Sequence, residues 1–185
     1  MKKLMIALVA VAVAAFAQAG TIKWQITGNT ALYNGTSDTT LTSANTVYLF
    51  DAKTYAQAAL FDAFVGDGID YTKALASVGL SDAGKFTVQS YDAVEEQAYS
   101  IYLAVVDGDN VFMTTAQAVN GPGTGKSTTK MFAATAPSKN APTEIASGSA
   151  FASTGWYTAE QTPEPTTGLL MLVGLAGLAL KRKVA

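Results

Sequence analysis

Neither cysteine nor histidine occurs anywhere in the chain. Their joint absence removes much chemistry: disulfide frameworks, thiolate nucleophiles, Cys/His zinc sites, Ser-His-Asp triads and imidazole general bases each need a residue that is missing. Charge is scarce as well, at 14% of residues against about 25% in an average soluble domain. Between Gly20 and Gln161 seven lysines face thirteen Asp and Glu, a net charge of −6 for that part. Nucleic acid and anionic phospholipid both need clustered Lys and Arg, so neither is an expected partner of this segment.

What is present is concentrated at the two ends. Met1-Lys2-Lys3 is a short positive start, Leu4 to Phe16 is apolar, and Ala17-Gln18-Ala19 is the small-x-small pattern of a signal-peptidase site, which predicts cleavage before Gly20. The apolar stretch is well short of the roughly 20 residues that span a bilayer comfortably, so export is favoured over anchoring. At the other end Thr162-Pro163-Glu164-Pro165-Thr166-Thr167 leads into an apolar run over 168–180 and then Lys181-Arg182-Lys183. Prolines cannot join a helix, the run partitions into a bilayer, and the basic triplet holds the end on the cytoplasmic side. A brief hydrophobic segment behind a processing motif has the logic of a GPI signal, in which the tail is a temporary hold for a processing enzyme.

The Pro163-Glu164-Pro165 triplet, the Gly/Leu/Ala run and the Lys/Arg end, in that order at the end of a chain with a signal peptide, resemble the PEP-CTERM sorting domain of exosortase-processed bacterial proteins. The resemblance implies an outer-membrane-bearing bacterium, processing near Pro163 to Pro165, and association with exopolysaccharide or biofilm matrix. It covers the tail alone. Three parts follow: a signal peptide at 1–19, an extracellular domain at 20–161, and a sorting tail at 162–185 whose short transmembrane segment is 168–180.

Within the domain, alternation of polar and apolar residues predicts strands at Thr21–Thr27, Thr46–Phe50 and Lys85–Tyr91. Ala98–Val106 and Val111–Ala116 flank Asp107-Gly108-Asp109-Asn110, whose residues tolerate positive φ, and predict a hairpin. Helical spacing over Ala52–Phe64, with Asp51 as N-cap, predicts a short helix, and a weaker helical patch lies at Tyr71–Val78. Ala133–Ser149 reads as a loop and Phe151–Tyr157 as a last strand. The expected fold is mainly β: an antiparallel, jelly-roll-like β-sandwich with one or two short helices, flanked by a signal helix and a C-terminal apolar helix.

Four motifs invite chemistry. Gly121-Pro-Gly-Thr-Gly-Lys126-Ser127 approaches a phosphate-binding loop, but Asn120 stands where its first glycine belongs and no amphipathic helix follows, so it reads as a strand connection. Asp107-Gly108-Asp109-Asn110 opens like a calcium loop, yet Val111 and Phe112 occupy the fifth and sixth positions. Calcium shared with Gly66–Asp70 is the remaining option. Glu95 and Glu96, as neighbours in an extended segment, point to opposite faces and cannot form the facing pair of a glycosidase. Trp24, Trp156, Tyr157, Tyr33 and Tyr48 are either a sugar-binding platform or core, core being favoured. Asn34-Gly35-Thr36 marks a turn.

The expected function is therefore non-enzymatic, structural or binding, at the cell surface or in the extracellular matrix, with a transient or permanent membrane anchor. Signal peptidase, an exosortase-type enzyme and the membrane are the expected partners, exopolysaccharide the candidate ligand, and no cofactor or metal is expected. A carbohydrate-binding module is the alternative, and a small glycoside-active enzyme the third reading.

Overall fold

Strand β1, Gly20–Ile26, opens the fold with strict alternation: Ile22, Trp24 and Ile26 are buried while Lys23 is exposed. The computed structural model describes residues 20–35, 39–134, 141–151 and 153–160. β1 is the centre of a three-stranded sheet. It pairs antiparallel with β4, Gln89–Ala93, and parallel with β8, Ser127–Phe132.

The larger sheet is built around β5, Ala98–Asp107. One edge of β5 pairs with β2, Thr46–Asp51, which in turn pairs with β3, Ala76–Gly79. Its other edge is shared by two strands, β6 at Asn110–Met113 and β7 at Gln117–Asn120. Between them Thr114, 1% exposed, keeps the ladder closed. Its hydroxyl accepts from Leu103 N–H at 2.9 Å and its own N–H donates to Leu103 C=O at 3.0 Å. β10, Gly155–Ala159, extends the sheet antiparallel to β6, and β9, Thr143–Ile145, closes it parallel to β10.

Both faces of the large sheet are covered, which explains the unbroken apolar run in β5: adjacent strand residues point to opposite faces, and each face here meets a core. Ile101, Leu103 and Val105 join Val47, Leu49, Phe112 and Trp156 in packing against Ile22, Trp24, Ile26 and Phe132 of the small sheet. Tyr102 and Ala104 point the other way, into a second cluster with Phe50, Val111, Met113 and Tyr157. That cluster is capped by α1, Gln57–Val65, through Leu60 and Phe61. Each fully buried large apolar side chain contributes about 1.5–3 kcal/mol.

The hairpin is as expected, with Asp107 opposite Asn110 and Gly108 at φ 56°. The sheets are mixed rather than purely antiparallel, so the jelly-roll pairing gives way. The parallel β1–β8 and β9–β10 pairs join segments whose alternation is visible locally but whose direction is set by distant packing. The helix starts later than the predicted Ala52, because Asp51 ends β2 and its backbone C=O closes a turn by accepting from Thr54 and Tyr55. Asp51 is no N-cap; Ala56 holds that position without a side-chain bond. The Tyr71–Val78 patch divides into one 3-10 turn at Tyr71–Lys73 and strand β3. Lys85–Val88 precedes β4 rather than forming it, with Phe86 packed on Trp24 at 5.3 Å between ring centres. Ala133–Ser149 contains β9, and the last strand runs from Gly155, not Phe151. Among the described residues no helix is long and apolar enough to cross a membrane. The predicted signal helix at 1–19 and apolar helix at 168–180 lie outside them.

Gly121 is held by two backbone bonds, donating to Gln97 C=O at 2.8 Å and accepting from Glu96 N–H at 3.0 Å. A Cβ there would sit 1.8 Å from Val94 O. Gly121→Ala is therefore expected to destabilise the domain by about 3 kcal/mol, the upper range of overpacking. Gly125→Ala, which has a positive φ but open space, is expected to cost about 1–2 kcal/mol. Urea unfolding midpoints of the two variants check the order.

Candidate functional site

Of the residues singled out for processing, only Gly20 is described, and the fold makes a specific demand on it. It is buried at the head of β1, where a Cβ would lie 2.0 Å from Pro122 O. The residue next to the predicted cleavage point is thus the first described residue of β1, and glycine alone fits there. Ala17, Ala19, Pro163, Glu164, Pro165, Lys181, Arg182 and Lys183 lie outside the described residues.

The 121–126 segment is the β7–β8 connection. Ser127 onward is strand rather than helix, so the aligned N–H groups that a phosphate-binding loop draws on are not formed there. The Asp107–Asn110 segment is a hairpin turn, fastened by Asn45 Nδ2 donating to Val106 C=O at 3.2 Å and to Asp107 Oδ1 at 3.4 Å. In the Gly66–Asp70 loop the Asp70 carboxylate is engaged locally, accepting from the Thr72 N–H and hydroxyl and lying 3.8 Å from Lys73 Nζ. Among the described residues no three acidic side chains converge. Glu95 and Glu96 occupy the turn between β4 and β5, Glu96 at φ 60°, rather than an extended segment.

The aromatic platform is largely dissolved into core: Trp24, Trp156 and Tyr157 are buried, and Gly35 is pressed against the Trp156 ring. Asn34 N–H donates to Thr39 C=O at 2.8 Å; Thr36, the last residue of the expected turn, lies outside the described residues. Tyr48 is half-buried and stacks at 4.4 Å on Tyr71, which is 41% exposed. Tyr71 had no strand periodicity to mark it, since it opens the 3-10 turn Tyr71–Lys73. Lys73 Nζ stands 4.6 Å above the neighbouring Tyr55 ring.

A polar cluster that the sequence did not signal lies where β2 meets β5. Asp51 is buried, and its Oδ1 accepts from Ser100 N–H at 2.8 Å and Lys53 N–H at 3.2 Å. Tyr102 donates its hydroxyl to Tyr55 C=O at 2.8 Å. Burial, then the Tyr55 and Asp51 charges, raise the Tyr102 phenol. Burial, the Tyr99 hydrogen bond and nearby carboxylates push Tyr91 up to about 12. Both phenols stay protonated at neutral pH, so neither serves as a phenolate base. The cluster ties strand ends together.

The C-terminal end of the chain carries the family signal. The PEP-CTERM protein-sorting motif matches residues 161–183, directly after the last described strand. The chain is therefore an exported protein with a C-terminal sorting tail of the exosortase-processed kind. No curated protein and no solved structure matches it.

Asp62 on α1 accepts from the Ser147 hydroxyl and from Gly148 N–H, and these bonds, the hydroxyl first, hold its carboxyl below the ordinary value of 3.8. A depressed folded pKa contributes stability that is complete above the unfolded value and lost as pH falls through the folded one. The Gly148 amide resonance is thus expected to titrate with a midpoint below 3.8, and Asp62→Asn to abolish the titration. A midpoint at or above 3.8 contradicts the clasp.

Proposed function

We propose that this is a non-enzymatic protein of the cell envelope or surface matrix, exported on its signal peptide, cut before Gly20, held in the membrane by its tail until that tail is cut near Pro163 to Pro165, and acting outside the cell through structure or binding. The sorting motif at 161–183 carries the reading. The expected cut before Gly20 leaves the described strand β1 whole. Burial of Trp24, Trp156 and Tyr157 in the core, and the engagement of Asp51, Asp62 and Asp70 in local backbone and hydroxyl bonds, favour a structural or surface-binding role over catalysis.

A second reading, binding of a carbohydrate such as exopolysaccharide, rests on the exposed Tyr71 ring stacked on Tyr48 with Thr72 and Lys73 beside it. Sugars stack on tyrosine faces through their apolar ring surface. Tyr71→Ala is the variant that separates this reading from the first.

Intact mass of the protein recovered from its native envelope tests the main proposal. The expected product begins at Gly20 and ends between Pro163 and Thr166, and Glu164→Ala is expected to accumulate the form that retains Lys181 to Ala185. A wild-type product that keeps Lys181 to Ala185 contradicts processing.

A further inference from the structure

β4 is an outer strand of the small sheet, and the pairing on its inner side fixes which of its backbone groups face outward. A strand residue sends its N–H and C=O to one side, and the next residue sends them to the other. Thr21 N–H donates to Lys126 C=O at 2.9 Å on the β8 side, so Gly20, Ile22 and Trp24 turn their backbone groups toward β4. Their partners there are Ala93, Tyr91 and Gln89. Ser90 and Asp92 are left facing outward, each with an N–H and a C=O, and no described strand takes them up.

The other sheet edges are shorter or guarded. β3 has four residues and ends on Gly79, and β9 has three. At β8 the Gln117 side-chain amide donates to Met131 C=O at 2.7 Å. Short strands and covered carbonyls both blunt an edge against pairing. β4 is instead bracketed by exposed apolar residues: Val88, directly before it, is 48% exposed, and Val94, directly after it, 52%. The two valines lie equally far from Tyr91 along the chain.

That symmetry makes the edge complementary to itself. In an antiparallel partner an outward-facing residue must meet another outward-facing residue. Setting Asp92 against itself puts like charges directly opposite, which is destabilising. Setting Ser90 against itself leaves Asp92 facing Val88. Centring the register on Tyr91 sets Ser90 against Asp92 and Val88 against Val94, each pair twice over. Every outward N–H and C=O of Ser90 and Asp92 then has a partner, and both valines gain a β-branched neighbour. Lys23 is exposed and sits beside Ser90 on the same face, so it flanks the partner's Asp92 with opposite charge.

We propose that β4 is a self-association edge: two copies of this chain pair β4 to β4, antiparallel, about a two-fold axis at Tyr91. The three strands of each small sheet then join into one continuous sheet. The contact is isologous, as a two-fold axis requires. One short strand from each copy is a small interface, which makes the pair weak and dependent on concentration.

The chain has no cysteine, so single introduced thiols report the register. In a hydrogen-bonded antiparallel pair the Cα atoms lie about 5.5 Å apart, within disulfide reach. Ser90 and its own copy are diagonal neighbours in this register, at about 7–8 Å, which is too far. Ser90→Cys and Asp92→Cys, each in the exported chain, would be oxidised separately and as an equimolar mixture. The mixture is expected to give several-fold more disulfide dimer than either variant alone, with the yield falling on dilution. Equal yields in all three samples, the pattern of association through another surface, overturn the proposal, as does a higher yield from either variant alone or no dimer in any sample. Hydrogen exchange of the wild-type chain gives a second readout: the Ser90 and Asp92 amides are expected to slow as concentration rises. Slow exchange of both amides at a dilution where the chain is monomeric would mean that a segment of the same chain covers the edge, and overturns the proposal.

Discussion

Everything in this domain depends on β5 being buried on both faces. A strand covered on one side only can alternate polar and apolar residues; one sandwiched between a sheet and a helix cannot, and Ile101 to Val105 contain no charged side chain, their one hydroxyl, on Tyr102, being satisfied by Tyr55 C=O. The consequence is a three-layer arrangement in which the small sheet and α1 never need to touch. Each is tied to the rest through opposite sides of the same backbone. Thr114, buried with its hydroxyl on Leu103 N–H, lets one edge of β5 accept two partner strands without leaving a ladder amide orphaned.

That same strand fixes the direction of the molecule. β5 begins at the pole where β1 starts and ends at the turn beside which β10 leaves, so Gly20 and the end of β10 are about a strand length apart. Gly20 joins the two levels of the argument. It lies where signal peptidase is expected to cut, and it is the one position in β1 where a side chain would strike the Pro122 carbonyl. Export and folding thus place compatible demands on one residue.

Local alternation in β1 and the hairpin turn were readable from sequence because each depends on near neighbours: Ile22, Trp24 and Ile26 share a face, and Gly108 supplies the positive φ. The tail was readable for a different reason, since its motif is contiguous. The parallel β1–β8 pair was not, because it joins residues more than a hundred positions apart and nothing in either strand states a direction. Asp51 was misread as a cap because its carboxylate satisfies Ser100 N–H from another strand. Strand periodicity favoured core for Trp24 and Trp156, and the second sheet and the Gly35 contact show the packing that puts them there. The Tyr48–Tyr71 ring contact was invisible, as it joins a strand to a 3-10 turn more than twenty residues away.

The central claim, that one doubly buried strand couples both cores, is tested most directly by native-state hydrogen exchange under EX2 conditions. Amides of Leu103, Ala104 and Val105 are expected to exchange only through global unfolding, together with those of Trp24 in β1 and Phe112 in β6. Protection of β1 and β6 that fails at clearly lower free energy than β5, each on its own, would contradict the coupling and describe two independent layers instead.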